Sequence, residues 1–317
     1  MSWLSSIGAL APVFAFLGIG YLISLAGWMP EEARKMLGNL VIYVAVPCSI
    51  FHTMTESFTI EQIVGIATPL LGITAVSIGA LFLTRWLAKR VLRLPFGRWG
   101  IFGVMCAFPN IVFIGMPVAL SILGDAGMPG VLAYFISQTV LFWVLGTQTI
   151  RMDAVNPISA GPKETFFRVM NINIWVILFA IVFVLLGWKV PGLLGNILSQ
   201  AGSIATPLSL IFCGSTLFGL YQKYGMKGLA PSWDIGIMLL IRHLVMPGVI
   251  FLTSRACGTN GMMQQSLLLV AAMPSMTQAV MMAQVYQSDV DYAARGFFWS
   301  CMGAIVVISC YVLLLTA

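Results

Sequence analysis

Two prolines stand near the middle of long apolar runs, and each is followed by a polar side chain: Phe108-Pro109-Asn110 and Met273-Pro274-Ser275. Gly115 and Pro117 follow the first, and Thr277 and Gln278 the second. A proline inside a helix removes one backbone hydrogen bond and presses on the preceding turn, at a cost of about 3 kcal/mol. In hydrocarbon the freed groups find no water, so such a break is tolerated only where it lines a cavity or is buried in protein. If the two breaks meet, the half-helix N-termini beyond them turn partial positive charge and free N–H groups on one point. That point favours an anion, a carboxylate in particular. Pro109, Asn110, Pro274, Ser275 and Gln278 are therefore the candidate substrate contacts. The competing reading is a pair of simple kinks relieved by neighbouring helices. Pro47 and Pro207 form a second matched pair, read as supporting kinks.

Arg242-His243 is the basic pair inside an apolar run. An arginine at the centre of a spanning helix costs roughly 2.5–3.5 kcal/mol on insertion scales. A substrate carboxylate, a water-filled cavity, the carbonyls freed by a broken helix or snorkelling toward an interface can offset that cost, and the residue is carried as a candidate substrate contact. His243 is a candidate for proton coupling, against a buried neutral imidazole that donates to a carbonyl. None of the ten acids falls at the centre of an apolar run, which argues against a buried carboxylate pair as proton relay and against acid–base hydrolysis within the membrane. The six cysteines form no CxxC pair and no Cys/His cluster of metal-ligand spacing. The expectations are no enzyme, no metal and no resident cofactor, with H+ or Na+ as the candidate coupling ion.

These residues need a membrane to give them meaning. Of 317 residues 60% are hydrophobic and 8% charged, against about 25% charged in soluble domains. Ten apolar segments can be marked, near 4–26, 33–53, 61–87, 98–124, 128–149, 170–188, 193–220, 232–254, 262–286 and 292–316, each long enough to span. The weakest cuts are near Asp125 and Gly225. The first segment has no Lys or Arg before it and is read as a true helix rather than a signal peptide. The loops after segments 1, 3, 5, 7 and 9 hold 13 of the 16 basic residues, including Arg34, Lys89, Lys163, Arg168, Lys223 and Arg295. The positive-inside rule then puts those loops in the cytoplasm and both termini outside. Short loops point to a bacterial inner membrane. The net charge of +6 sits in loops rather than on one face, so nucleic acid is not an expected partner; lipid is.

Five spans per half makes two successive halves inverted. Gly27-Trp28 recurs as Gly187-Trp188, 160 residues on, and Pro47 recurs as Pro207 at the same offset. Pro109 recurs as Pro274 at an offset of 165. The chain therefore reads as an all-α membrane protein of ten transmembrane helices. The two inverted five-helix repeats occupy residues 1–150 and 170–317, and residues 151–169 form a cytoplasmic linker. Such repeats place a transporter's substrate site near the midplane where the halves meet.

The stretch Phe108-Pro109-Asn110-Ile111-Val112-Phe113-Ile114-Gly115-Met116-Pro117 resembles the fourth-helix signature of the auxin efflux carrier family. Ala271-Ala272-Met273-Pro274, continuing to Ala283-Gln284-Val285-Tyr286, is similar to its ninth-helix signature, and Arg242-His243-Leu244-Val245-Met246-Pro247 to its eighth-helix pattern. The resemblance runs along the whole chain and implies a bile-acid symporter-like fold. Helices 4 and 9 would cross at their breaks within a transport domain of helices 3–5 and 8–10. A scaffold of helices 1, 2, 6 and 7 would mediate a homodimer. An elevator-type movement would carry a small organic anion, malonate- or malate-like or auxin-like. Asn110 matches the family's substrate-contacting Asn, whereas Ser275 stands where a symmetric Asn partner would be. A channel or a ligand sensor on the same fold is the alternative.

Overall fold

The computed structural model describes residues 10–57, 64–154, 171–259 and 261–316. The start of the first expected segment, Glu61, and the linker with Lys163, Glu164 and Arg168 lie outside the described residues. Among the described residues the regular structure is helical, apart from one isolated bridge that pairs Pro109 with Ser275.

In chain order the helices are α1 (Ala11–Leu25), α2 (Glu31–Glu56), α3 (Ala67–Val91), α4 (Trp99–Ala107) and α5 (Met116–Leu123). They continue with α6 (Asp125–Arg151), α7 (Ile172–Leu185), α8 (Gly192–Tyr224), α9 (Met226–Ala256), α10 (Gly261–Ala271), α11 (Gln278–Val285) and α12 (Val290–Thr316). Among the described residues six helices are long and apolar enough to cross a membrane: α2, α3, α6, α8, α9 and the Val290–Tyr311 part of α12. α1 and α7 are shorter apolar helices. α4 with α5, and α10 with α11, flank the two proline breaks. Every described helix falls within a few residues of an expected segment. Both doubtful cuts lie at glycines with φ near +60°, Gly124 and Gly225, a conformation that glycine alone adopts without strain.

The helix ends follow from local sequence. α1 and α7 close in the same way. Gly27 and Gly187 take φ of 78° and 64°, and Trp28 and Trp188 donate back to Ile23 and Phe183 at 2.9 and 3.0 Å. That six-to-one bond is the Schellman closure, which satisfies a terminal carbonyl.

Three interior prolines share another device. Pro47, Pro117 and Pro247 each follow a π turn that begins six residues earlier, at Val41–Ala45, Ile111–Gly115 and Ile241–Val245. The widened turn re-satisfies carbonyls that the proline ring would otherwise strand. It also brings adjacent side chains to one side. Val41 and Ile42 are both buried, as are Arg242 and His243, whereas adjacent residues on a regular α-helix diverge by 100°. Pro207 lies just after Ile204, where α8 bends between its two stretches, Gly192–Ser203 and Ala205–Tyr224. That bend packs on α2 next to Pro47: a Cβ at Gly202 would collide with the backbone of Ser49.

Two blocks of close packing stand out, joined to each other by contacts of α8 with α12 and of α2 with α11. α1 lies against α8 so closely that Gly20 abuts the backbone of Ile211, and Gly214 that of Leu17. α2 packs on α7 and α8. In the other block α3 packs on α4, α6 and α9, and α10 on α6 and α9. Two ion pairs pin the ends of this second block: Arg85 to the buried Asp153 at 2.7 Å, and Arg98 to Asp289 at 2.6 Å. Asp153 also accepts from the Gly100 N–H.

Candidate functional site

The helical hydrogen bonding of α4 ends at Ala107, and Phe108 and Asn110 are extended. α10 ends at Ala271, and the next helix begins at Gln278. The two irregular segments answer each other. Asn110 N–H donates to Pro274 O at 2.7 Å, and Met276 N–H donates to Phe108 O at 3.2 Å. The backbone groups that proline leaves without helical partners are thus satisfied across the crossing point. Pro109, Asn110, Pro274 and Ser275, more than 160 residues apart in sequence, sit in one antiparallel contact.

The carbonyls at the ends of α4 and α10 need donors as well, since the last four of any helix are orphaned. Arg242, fully buried, supplies them: one guanidinium nitrogen donates to Cys106 O at 2.9 Å and the other to Ala271 O. A cation at two helix C-termini also lies favourably along both dipoles. His243, its neighbour on the π turn, has Nδ1 3.1 Å from Ala272 O and Nε2 3.1 Å from Ser300 O. Of the arrangements open to Arg242 from sequence, the structure shows it on helix carbonyls and not among the residues that line the cavity described next.

In front of the crossing point lies a small cavity, with about 50 Å³ open to the centre of a water-sized sphere. Asn110 and Ile111 line it from the first break, and Met276 and Gln278 from the second. Ser49 and Ile50 come from α2 near Pro47. α6 contributes Gln138, Thr139, Phe142 and Trp143. The cavity therefore spans the seam between the two blocks. Phe142 and Trp143 belong to another π turn, Phe142–Gly146, which again turns adjacent residues to one side. No charged side chain is among the lining residues. The π turn that leads into α5 begins at Ile111 and α11 begins at Gln278, both lining residues, so both helical stretches start beside the cavity.

Asn110 is 3% exposed, and its Nδ2 has no hydrogen-bond partner among the described residues. Ser275 is fully buried and committed elsewhere: its N–H donates to Ser300 Oγ at 2.7 Å and its hydroxyl to Met105 O at 2.8 Å. Ser275 and Pro274 do not line the cavity. Gln278 does, and its Oε1 lies 3.4 Å from the Thr277 hydroxyl. Gln138 was absent from the sequence-level candidates. Its Nε2 donates to Pro109 O at 2.6 Å. The one signal for it in sequence is a long amide inside an apolar run, where a buried amide needs partners.

A fold of apolar helices around two broken ones, with a neutral polar cavity at the crossing, is that of a membrane transport protein, and the comparisons agree. The sequence model of the family described as "Membrane transport protein" matches residues 5–159 and 168–312. The chain belongs to this family, the auxin efflux carrier family.

Among curated relatives, an uncharacterized transporter of Methanocaldococcus jannaschii is 25% identical over 295 residues, 92% of each chain. The uncharacterized transporter YfdV of Escherichia coli is 20% identical over 307 residues, 95% of this chain and 94% of that one. The Arabidopsis thaliana protein PIN-LIKES 1 is 26% identical over 121 residues, 38% of this chain and 25% of its own length.

Proposed function

We propose that the chain is a secondary transporter that moves a small organic carboxylate across the membrane, with its site in the cavity at the crossing of the two broken helices. The observation that carries this reading is the pairing of two helix starts on one neutral cavity, with the unpartnered Nδ2 of Asn110 between them. Helix N-termini and an amide donor favour an anion. No lining carboxylate offers a cation its usual partner. Phe142, Trp143 and Ile111 form an apolar wall suited to the body of an organic acid.

In this reading α4–α5 and α10–α11 are each one broken span. The protein then has ten spans, in halves 1–150 and 170–317 of inverted topology, joined by the linker 151–169. The matched closures of α1 and α7 and the paired breaks support the duplication. α1, α2, α7 and α8 are the scaffold, through which two copies pair. The remaining helices slide against it as an elevator, and the cavity's position on the seam suits that movement. Asn110 and Gln278 contact the substrate. Arg242, Pro274 and Ser275 hold the crossing, and Pro47 and Pro207 set the facing wall. Both termini face outward from a bacterial inner membrane, and a proton or sodium gradient supplies the driving force.

The test is uptake of labelled malonate, malate and indole-3-acetate into proteoliposomes, with and without imposed H+ and Na+ gradients. Saturable uptake of at least one acid is expected. Flux that never saturates would favour a channel, and binding without flux a sensor. Movement of amines with no organic acid would overturn the anion reading.

A further inference from the structure

We infer that the transported acid carries a hydrogen-bond donor of its own, a hydroxyl or N–H, and that Gln138 Oε1 reads it. The inference rests on the cavity being the substrate site, and it narrows the substrate class.

The orientation of the Gln138 amide is fixed by its partner. Pro109 O can only accept, so the end of the amide that lies 2.6 Å from it must be the NH2. Oε1 then faces away from the crossing. It is buried and has no hydrogen-bond partner among the described residues, and the residue lines the cavity. Asn110 Nδ2 is in the same condition in the same cavity. One buried donor and one buried acceptor therefore belong to residues that line the same small cavity, without bonding to each other. Ser49 and Thr139 also line it, but a hydroxyl rotates to donate or accept and imposes no polarity. No Lys, Arg or His lines the cavity to answer Oε1.

A bare carboxylate offers only acceptors. It suits Asn110 Nδ2 and the N–H groups of the two helix starts, but it meets Gln138 Oε1 as oxygen against oxygen. An acid with a hydroxyl or N–H beside its carboxylate answers both. A site built around a buried hydrogen-bonding group discriminates strongly against the analogue that lacks the matching group, because the protein's own atom is then left unpaired.

The experiment compares matched acids on the purified full chain in lipid nanodiscs: phenyllactate against 3-phenylpropionate, and malate against succinate. Affinity is measured by calorimetry at a pH where all are ionised. The hydroxy acid is expected to bind at least about tenfold tighter than its deoxy partner. In Gln138→Met, which keeps the length and removes both amide ends, the ratio should fall to within about twofold. Equal affinities in the wild type, or an unchanged ratio in Q138M, would overturn the inference. So would binding of the deoxy acids that tightens on acidification with no hydroxyl preference, since the donor would then be the acid's own proton. The wild-type ratio decides the case even if Q138M fails to fold. Acids that move without discrimination end this inference alone; acids that neither bind nor move end the carrier reading as well.

Discussion

The two breaks start from the same local physics and finish differently. Each is a helix stopped by proline and followed by a short polar residue. At the first, Asn110 lines the cavity with its buried Nδ2 unpartnered among the described residues, and the Pro109 carbonyl is answered by a side chain that also lines that cavity. At the second, both polar groups of Ser275 are committed to the protein, to Ser300 on α12 and to Met105 on α4. On the proposed function, one break presents groups to a ligand and the other holds the crossing together. Side-chain reach explains the difference. A serine hydroxyl one bond from Cβ bonds the nearest backbone, whereas the asparagine amide extends past it. Matched positions in a duplicated chain thus need not keep matched duties.

The largest effect expected strikes both breaks at once. Arg242→Gln removes the cation from the C-termini of α4 and α10 and leaves at least one buried carbonyl unmet. Breaking a buried charged arrangement of this kind destabilises by about 3–5 kcal/mol, which thermal unfolding in detergent should detect, while the folded fraction keeps its substrate affinity. Normal stability with lost affinity would put Arg242 on the substrate and remove the shared anchor.

The next pair separates the breaks from each other. Asn110→Ala should weaken substrate binding by about tenfold or more, the worth of one hydrogen bond to a charged group. Its stability should change little, because Nδ2 bonds nothing in the protein. Ser275→Ala should do the reverse, losing about 1–2 kcal/mol of stability and leaving affinity nearly unchanged. If the two variants trade places in a combined calorimetry and unfolding measurement, the assignment of duties is inverted.

The helices were legible because length and hydropathy decide a span, and the Gly-Trp closures and prolines were legible because each has one dominant backbone consequence. The meeting of the breaks could be reasoned from the cost of a proline in lipid. What the breaks meet with could not. Arg242 bonds main-chain carbonyls, which have no letter in the sequence. Gln138 looks like any amide in an apolar run until Pro109 O is seen 2.6 Å away. Ser275 read as a cavity residue because polarity says nothing about which side of a crossing a short side chain faces. Arg242 and His243 are buried together on the π turn Ile241–Val245, which Pro247 follows six residues after its first position. Pro47 and Pro117 stand in the same relation to their π turns, but the π turn Phe142–Gly146 has no such proline.

The smallest effect belongs to His243, which touches only the second break. Both ring nitrogens face carbonyl oxygens, but a neutral imidazole carries one N–H. Donation from Nδ1 to Ala272 O leaves Nε2 as an acceptor, 3.5 Å from the Ser300 hydroxyl. That hydroxyl already accepts from Ser275 N–H, so its own hydrogen is free to turn toward the ring. A neutral histidine therefore fits as one more stitch in the holding break. His243→Gln keeps a donor for Ala272 O and cannot titrate. It should lose no more than about 1 kcal/mol of stability, and the pH dependence of uptake should match the wild type. A folded H243Q protein whose uptake no longer responds to pH would give the second break a working proton, and the division between presenting and holding would fail there first.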